Sequence, residues 1–138
     1  MREITKIIVP CSATKPSMNI GASEIDSWHK ERGFNCIGYH YVITREGKLE
    51  KGRHIGRSGA HCKGHNYNSI GVCLVGGLDE NGGACDNFTD AQKKTLIDTL
   101  NFLTTTFDCS VLGHRDIPGV QKSCPCFDVR EFYYGEEI

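Results

Sequence analysis

The sequence predicts a single domain of the α/β (α+β) class, in which helices flank a central mixed β-sheet. Strand-like and helix-like segments alternate along the chain, and a short turn joins one pair of strands as a hairpin. The length of 138 residues is that of one domain. Since the sequence contains no repeat, linker or low-complexity tract, residues 1–138 are expected to fold as one unit.

Four segments predict the strands. Residues 4–9, ITKIIV, are rich in β-branched side chains and stop at Pro10, which lacks an N–H group and suits a strand end. Residues 38–53 alternate about a turn at 45–47 and predict the hairpin. One face of the hairpin is expected to carry Tyr39, Tyr41 and Ile43. The other face is expected to carry His40, Val42 and Thr44. Residues 69–77, SIGVCLVGG, and 109–113, CSVLG, complete the set.

Helices are predicted at three places. Ser23 opens SEIDSWHKERGF, where Asp26 three residues later makes an imperfect capping box. Thr89 is the expected cap of a long helix with an apolar stripe at 3.6-residue spacing, formed by Leu96, Leu100, Leu103 and Phe107. The segment VREFYY near the end predicts a last helical turn. Between the hairpin and the third strand, residues 54–68 form a glycine- and histidine-rich loop of the kind that compact domains keep for function.

Composition excludes several classes of function. Lys and Arg total 16 and Asp and Glu total 17, giving a net charge of -1 with the basic residues scattered, so no nucleic-acid partner is expected. The sequence shows no signal peptide and no apolar run of bilayer length. We therefore expect a soluble monomer, cytoplasmic as synthesised, with no membrane partner. In that compartment the eight cysteines are expected to be reduced thiols.

The segment VLGHRDIPGVQKSCPCFD carries the strongest chemical signal. His114 follows a predicted strand and Cys124 comes ten positions later in a proline-constrained loop, so an imidazole and a thiolate, both good zinc ligands, can meet. Lys122 lies two positions before Cys124, which in an extended segment places a cation beside the metal. A metal and an ammonium group together suit attack of activated water on a carbonyl. A surface histidine and a buried cysteine without metal remain the alternative.

A second interpretation concerns Cys124-Pro125-Cys126, which could be a two-thiol clip or a redox pair. The rigid proline and the single intervening residue argue against it, because redox motifs usually place two residues between the cysteines.

Six segments together resemble the zinc-dependent N-acetylmuramoyl-L-alanine amidases. They are IIVPCSATKPS, EIDSWHKERGF, GYHYVITREGKLEKGR, SGAHCKGHNYNSIGVCLVGG, FTDAQ and GHRDIPGVQKSCPCFD. Their order and spacing are most similar to bacteriophage amidase-type lysozymes, and more distantly to peptidoglycan recognition proteins. The resemblance spans nearly the whole chain, and it implies a mixed sheet with a zinc cleft on one side.

The resemblance also implies roles for individual residues. His114 matches the family's second zinc ligand and Cys124 the third, while Tyr39 matches the tyrosine that positions the metal-bound water. Lys122 matches the lysine that stabilises the tetrahedral intermediate in phage-type members. His61 and Asn66 match positions near the substrate cleft. From the residues alone, a structural tyrosine of the hairpin is the favoured interpretation of Tyr39, and His61 could equally be a solvent-exposed loop residue.

Position 10 departs from the family. Relatives have histidine where this chain has Pro10, so the first ligand is lost, and Zn²⁺ is expected to bind weakly or not at all. Cys11 is not an obvious substitute, since successive side chains of a strand point to opposite faces. Cys126 could reach the same ion only past the restriction imposed by Pro125.

The function implied by the resemblance is hydrolysis of the amide between the lactyl group of muramic acid and L-alanine, by zinc-activated water acting on peptidoglycan or muropeptides. Without a signal peptide, such an enzyme would act on the cell wall after release or export. Three explanations of Pro10 stay open. The chain is an active amidase with an incomplete site, a catalytically impaired peptidoglycan-binding module, or a family member with a single-base change in its histidine codon.

Overall fold

The fold is a five-stranded mixed sheet with helices on both faces, seen in a computed structural model that describes residues 2–119 and 124–135. Along the chain the elements are β1 (Lys6–Val9), α1 (Ala22–Glu31), β2 (Tyr41–Ile43), β3 (Leu49–Lys51), β4 (Ser69–Leu74), α2 (Asp90–Thr106), β5 (Ser110–Gly113) and α3 (Val129–Tyr134). Single 3-10 turns cover Asn66–Asn68 and His114–Asp116. The predicted fold class is confirmed, and each predicted strand and helix is present within a few residues of its expected bounds.

The strand order is β3-β2-β4-β1-β5. β1 pairs in parallel with β4 and β5, β2 pairs in parallel with β4, and β3 runs antiparallel to β2 as the outer strand of the hairpin. A parallel centre of this kind is buried on both faces, which explains why every residue of β4 is buried. Four strand ends therefore meet at one edge of the sheet, the carboxyl edge.

Alternating residues of the strands divide the core into two layers. On one face, Ile7 and Val9 of β1 and Ile70 of β4 pack against Leu96, Leu100 and Leu103 of α2. On the opposite face, Val42 and Cys73 pack with Ile25 of α1. The predicted stripe of α2 is confirmed, since its three leucines are fully buried.

The start of α1 corrects one prediction. The helix is capped at Gly21, whose N–H donates to the Glu24 carboxylate over 2.6 Å, rather than at Ser23. Asp26 instead accepts the backbone N–H of Ile37 at 2.8 Å and so fastens α1 to the chain entering β2. The prediction failed because glycine caps helices through its backbone freedom and shows no polar side chain in the sequence. At α2, by contrast, the expected cap Thr89 is confirmed, with Gln92 completing a capping box.

The hairpin prediction placed Tyr39 on the same face as Tyr41 and Ile43, and this is wrong. Tyr39 precedes β2 and packs with Val42 in the layer of α1, whereas Tyr41 and Ile43 belong to the layer of α2. Strict alternation does not extend beyond the three residues of β2. The correction places Tyr39 on the side of the sheet where the candidate site lies.

Candidate active site

A cavity of about 180 Å³ lies at the carboxyl edge of the sheet. In sheets with parallel strands, ligands commonly bind in the crevice outside the carboxyl ends. The lining includes Pro10, Cys11, His29, Arg32, Phe34, Tyr39, His61, His114 and Cys124. Five positions singled out from the sequence (Pro10, Tyr39, His61, His114 and Cys124) thus meet in one cavity although they are far apart in the chain.

The register of two neighbouring strands sets Pro10 beside His114. Val9, the last residue of β1, pairs with Gly113, the last residue of β5, so Pro10 and His114 each come one residue after the paired ends. Adjacent strands are about 4.8 Å apart, so a side chain at position 10 is a direct neighbour of the His114 imidazole. The backbone at Pro10 stays in the sheet, because its carbonyl accepts the N–H of Leu74 at 3.0 Å.

Cys124 is fixed against both strand ends. Its carbonyl accepts the N–H of Arg115 at 2.9 Å, next to His114. Its Sγ accepts the N–H of Cys11 at 2.8 Å, next to Pro10. These two bonds hold Cys124 against the segments that carry Pro10 and His114.

Cys11 is closer to this site than the sequence predicts. Alternation correctly places its side chain in the core layer of α2, but its Sγ lies only 3.0 Å from the Sγ of Cys124. The hydrogen bond between the two thiols, followed by burial, raises the pKa of Cys124 above its usual value. In the absence of a metal ion, Cys124 is thus held as a neutral thiol.

The side chains do not fit a three-ligand zinc site. His114 and Cys124 provide two donors on the same cavity, but Pro10 has no donor atom where the third is expected. Across residues 2–119 and 124–135, no three His, Cys, Asp or Glu side chains form a cluster that could hold a metal ion. The geometry leaves a two-donor site with a gap beside β1.

Tyr39 is a partly buried phenol on the wall of the cavity. Burial raises its pKa well above the usual value, and the nearby thiols of Cys73, Cys124 and Cys11 act in the same direction. The Cys73 thiol lies next to the hydroxyl. At neutral pH Tyr39 is therefore a protonated hydrogen-bond donor and not a base.

His61, which lines the cavity, has a buried polar atom without a partner among the described residues. Within the described part of the chain its buried Nδ1 has no hydrogen-bond partner, while Nε2 lies 3.4 Å from the Ser69 hydroxyl. Burial lowers the pKa of His61 to about 3, so the ring is neutral. A neutral ring with a vacant nitrogen can make a hydrogen bond to a bound ligand.

Asn66 fixes the backbone of the loop beside His61. Its side-chain oxygen accepts the backbone N–H groups of His61 and Cys62, at 3.0 and 2.9 Å. These bonds hold the loop that carries His61. Asn66 therefore acts on the cavity through His61.

Three residues of the site were not among the sequence-based candidates. His29 packs against Tyr39 with ring centroids 5.3 Å apart, and its Nδ1 accepts the N–H of Gly38 at 2.9 Å. Arg32 lies with its guanidinium over the ring of Phe34 at 5.3 Å. The spacing of His29 and Arg32 at the end of α1 was the available signal, but it equally fits a solvated helix face.

Two remaining sequence predictions concern the loop after β5. Lys122 lies outside the described residues. The thiol of Cys126 is 3.6 Å from the carbonyl of Gly77. All eight cysteines lie in the described part of the chain, and each carries a thiol and not a disulfide.

The solved structures that share this fold include an amidase and a peptidoglycan recognition protein. Among solved structures, "N-acetylmuramoyl-L-alanine amidase LysC" from Clostridium intestinale superposes with a TM-score of 0.83 at 26% identity, over 97% of this chain and 85% of that one. Drosophila PGRP-LB gives a TM-score of 0.74 over 91% of this chain and 76% of its own, and at 23% identity it supports the fold alone.

Sequence comparison identifies the family. Residues 1–127 match the family described as N-acetylmuramoyl-L-alanine amidase. The endolysin of Enterobacteria phage T3 is 47% identical and that of Escherichia phage T7 46%, each over 96% of this chain and 87% of the relative. The chain belongs to the N-acetylmuramoyl-L-alanine amidase family. The predicted family and class of enzyme are confirmed. Within the described residues, no helix has the length and apolar character needed to span a bilayer.

Proposed function

We propose that this chain is a peptidoglycan amidase whose activity is limited by weak metal binding. The reaction is hydrolysis of the amide between the lactyl group of muramic acid and L-alanine. The observation that supports it most directly is the convergence of His114, Cys124 and Tyr39 on one cavity at the carboxyl edge of the sheet.

Zn²⁺ is the proposed metal, held by the His114 imidazole and the Cys124 thiolate. Bound zinc supplies a Lewis acid and lowers the pKa of water to about 7. Because catalytic zinc sites normally have three protein ligands, a two-ligand site should be occupied only at elevated zinc concentration. The loss of the donor at Pro10 thus reduces occupancy while the rest of the cavity is kept.

The chain's own residues position the substrate and the attacking water. Tyr39, protonated at neutral pH, donates a hydrogen bond that orients water or the scissile carbonyl. His61 uses its vacant Nδ1 to bind the stem peptide, and Asn66 positions it through the loop. Lys122 is proposed, from its place in the sequence two residues before Cys124, to stabilise the developing oxyanion.

Pro10 also favours a second candidate, a peptidoglycan-binding module that no longer cleaves. The two are separated by incubating the protein with purified cell wall at increasing Zn²⁺ and measuring both sedimentation with the wall and release of free stem peptides. We expect release that increases with zinc and is lost in Cys124→Ser. Binding to the wall without release at any zinc concentration would establish the binding module instead.

A further inference from the structure

Cys11 and Cys124 form a thiol pair that the expected zinc site does not require. Their Sγ atoms are 3.0 Å apart, although the residues are separated by 113 positions in the sequence. A disulfide bond has an S–S length of about 2.05 Å, so a shift of about 1 Å would join them. The N–H of Cys11 also donates to the Cys124 sulfur at 2.8 Å, which holds the two residues in contact.

The pair is accessible from the cavity, and the two thiols are not equally exposed. Both residues line the cavity, but Cys124 is partly exposed whereas Cys11 is only 8% exposed. A small reagent therefore meets Cys124 first. Cys11, held against it from the core side, is placed to attack the sulfur of a modified Cys124.

The nearby cysteines are less suitable partners. Cys73 is fully buried and its thiol contacts the Tyr39 hydroxyl. Cys126, the partner that the sequence suggests, has its thiol against the carbonyl of Gly77. The close sulfur to sulfur contact at the cavity thus joins Cys124 to Cys11.

We propose that Cys11 and Cys124 form a reversible disulfide that removes Cys124 from the active site when a low-molecular-weight disulfide is the oxidant. The Cys124 thiol gives up its proton to solvent and its sulfur attacks the oxidant, which forms a mixed disulfide and expels one small thiolate. Cys11 then attacks the Cys124 sulfur and expels the second. The two protein thiols give up two electrons and two protons, and the oxidant leaves as two small thiols, so the exchange is balanced.

The consequence for activity rests on the proposed function, whereas the crosslink does not. A sulfur in a disulfide cannot serve as a thiolate ligand, and Pro10 offers no replacement. Only His114 would remain of the two donors. The oxidised protein is therefore expected to be unable to hold zinc, and thiol reductants are expected to restore it.

The test uses the full chain, freed of metal, incubated to equilibrium with oxidised and reduced glutathione in varied ratio. We expect the intact mass to fall by two hydrogen atoms, and digestion to yield a peptide pair joining Cys11 to Cys124. Cys126→Ser should form the same crosslink, and Cys11→Ser should stop at the mixed disulfide with glutathione. Circular dichroism verifies that both variants are folded.

The functional consequence is measured on the same samples. We expect the zinc affinity and the amidase activity of the crosslinked protein to fall about tenfold or more. Loss of a residue that only supports a ligand already lowers metal affinity or activity about 10- to 100-fold. Reduction should restore both. A Cys124–Cys126 crosslink, or only mixed disulfides in the unaltered protein, would overturn the proposal. A Cys11–Cys124 crosslink with unchanged zinc binding would refute the role of Cys124 as a ligand and leave the crosslink standing.

Discussion

At the residue scale, His40 shows how burial keeps a histidine neutral. Its Nδ1 accepts the N–H of Gly71 at 3.0 Å, so Nε2 carries the proton and donates to the carbonyl of Arg57 at 2.8 Å. Burial lowers the pKa of His40 to about 4, and the charges of Arg2, Arg53 and His54 act in the same direction. Protonating Nδ1 would break the bond to β4.

This arrangement predicts a pH dependence of stability. Because the folded pKa is about 4 and the ordinary value is 6.5, the unfolded chain takes up a proton first, and the unfolding free energy falls as pH drops between these values. The full effect is about 3 kcal/mol. His40→Asn keeps an acceptor but cannot titrate, so it should be less stable than the original protein at pH 7, by a margin that narrows toward pH 4.5.

Urea denaturation of both proteins across this pH range measures the margin. The titration of the carboxylates changes the stability of both proteins equally and therefore cancels when the two unfolding free energies are subtracted. A margin that does not change with pH would show that His40 does not titrate as described.

The site residues themselves were only partly predictable. His114 and Cys124 could be paired from the sequence because both follow the last strand and both are metal-ligand types. The contact between Cys11 and Cys124 could not, because alternation gives the face of a strand residue but not the path of a loop that returns from another strand. His29 and Arg32 were missed because their role depends on where the end of α1 packs.

At the scale of elements, Gln92 joins α2 to the sheet. Its Nε2 donates to the carbonyls of Ile43 and Val75, at 3.1 and 2.8 Å, while its Oε1 accepts the N–H of the cap residue Thr89 at 2.9 Å. The side chain is fully buried. One amide thus caps the start of α2 and binds the chain at the carboxyl ends of β2 and β4.

Replacing Gln92 by Ala should lower the unfolding free energy by about 2–3 kcal/mol, because buried carbonyls lose their donor and the helix loses part of its cap. Lys94→Ala, at an exposed position of the same helix, is the control and should change it by less than about 0.5 kcal/mol. Chemical denaturation of the three proteins gives the comparison. Similar losses in the two variants would mean that Gln92 does not join helix and sheet in the way described.

The presence and type of each helix and strand were predicted better than the residues at which it begins and ends. The β-branched runs and the leucine stripe of α2 indicate which side chains are buried, and packing in the core stabilises the strands and the helix that these patterns predict. The start of α1 was misplaced because Gly21 gives no side-chain signal, and Glu24 rather than Asp26 completes the cap. The face of Tyr39 was misassigned because β2 is only three residues long and the alternation stops there.

At the scale of the whole molecule, the parallel sheet brings distant segments to one edge. Pro10 directly follows β1 and His114 directly follows β5, and the loop after β5 brings Cys124 back to both segments. The fold does not depend on the donor at position 10, since the Pro10 carbonyl still pairs with β4 and the superposition on a solved amidase covers 97% of the chain. Fold and metal binding are therefore separable. The monomeric state expected from the sequence stays a prediction.

The measurement that tests this account most directly is the zinc affinity of Pro10→His beside that of Pro10→Ala, by titration of the metal-free proteins. Histidine at position 10 stands next to His114 and Cys124, so we expect its affinity for Zn²⁺ to rise about 100-fold, with faster release of stem peptides from cell wall. Alanine, which removes the proline without adding a donor, should bind zinc like the original chain. Equal zinc affinity and equal turnover in the two variants would contradict the account.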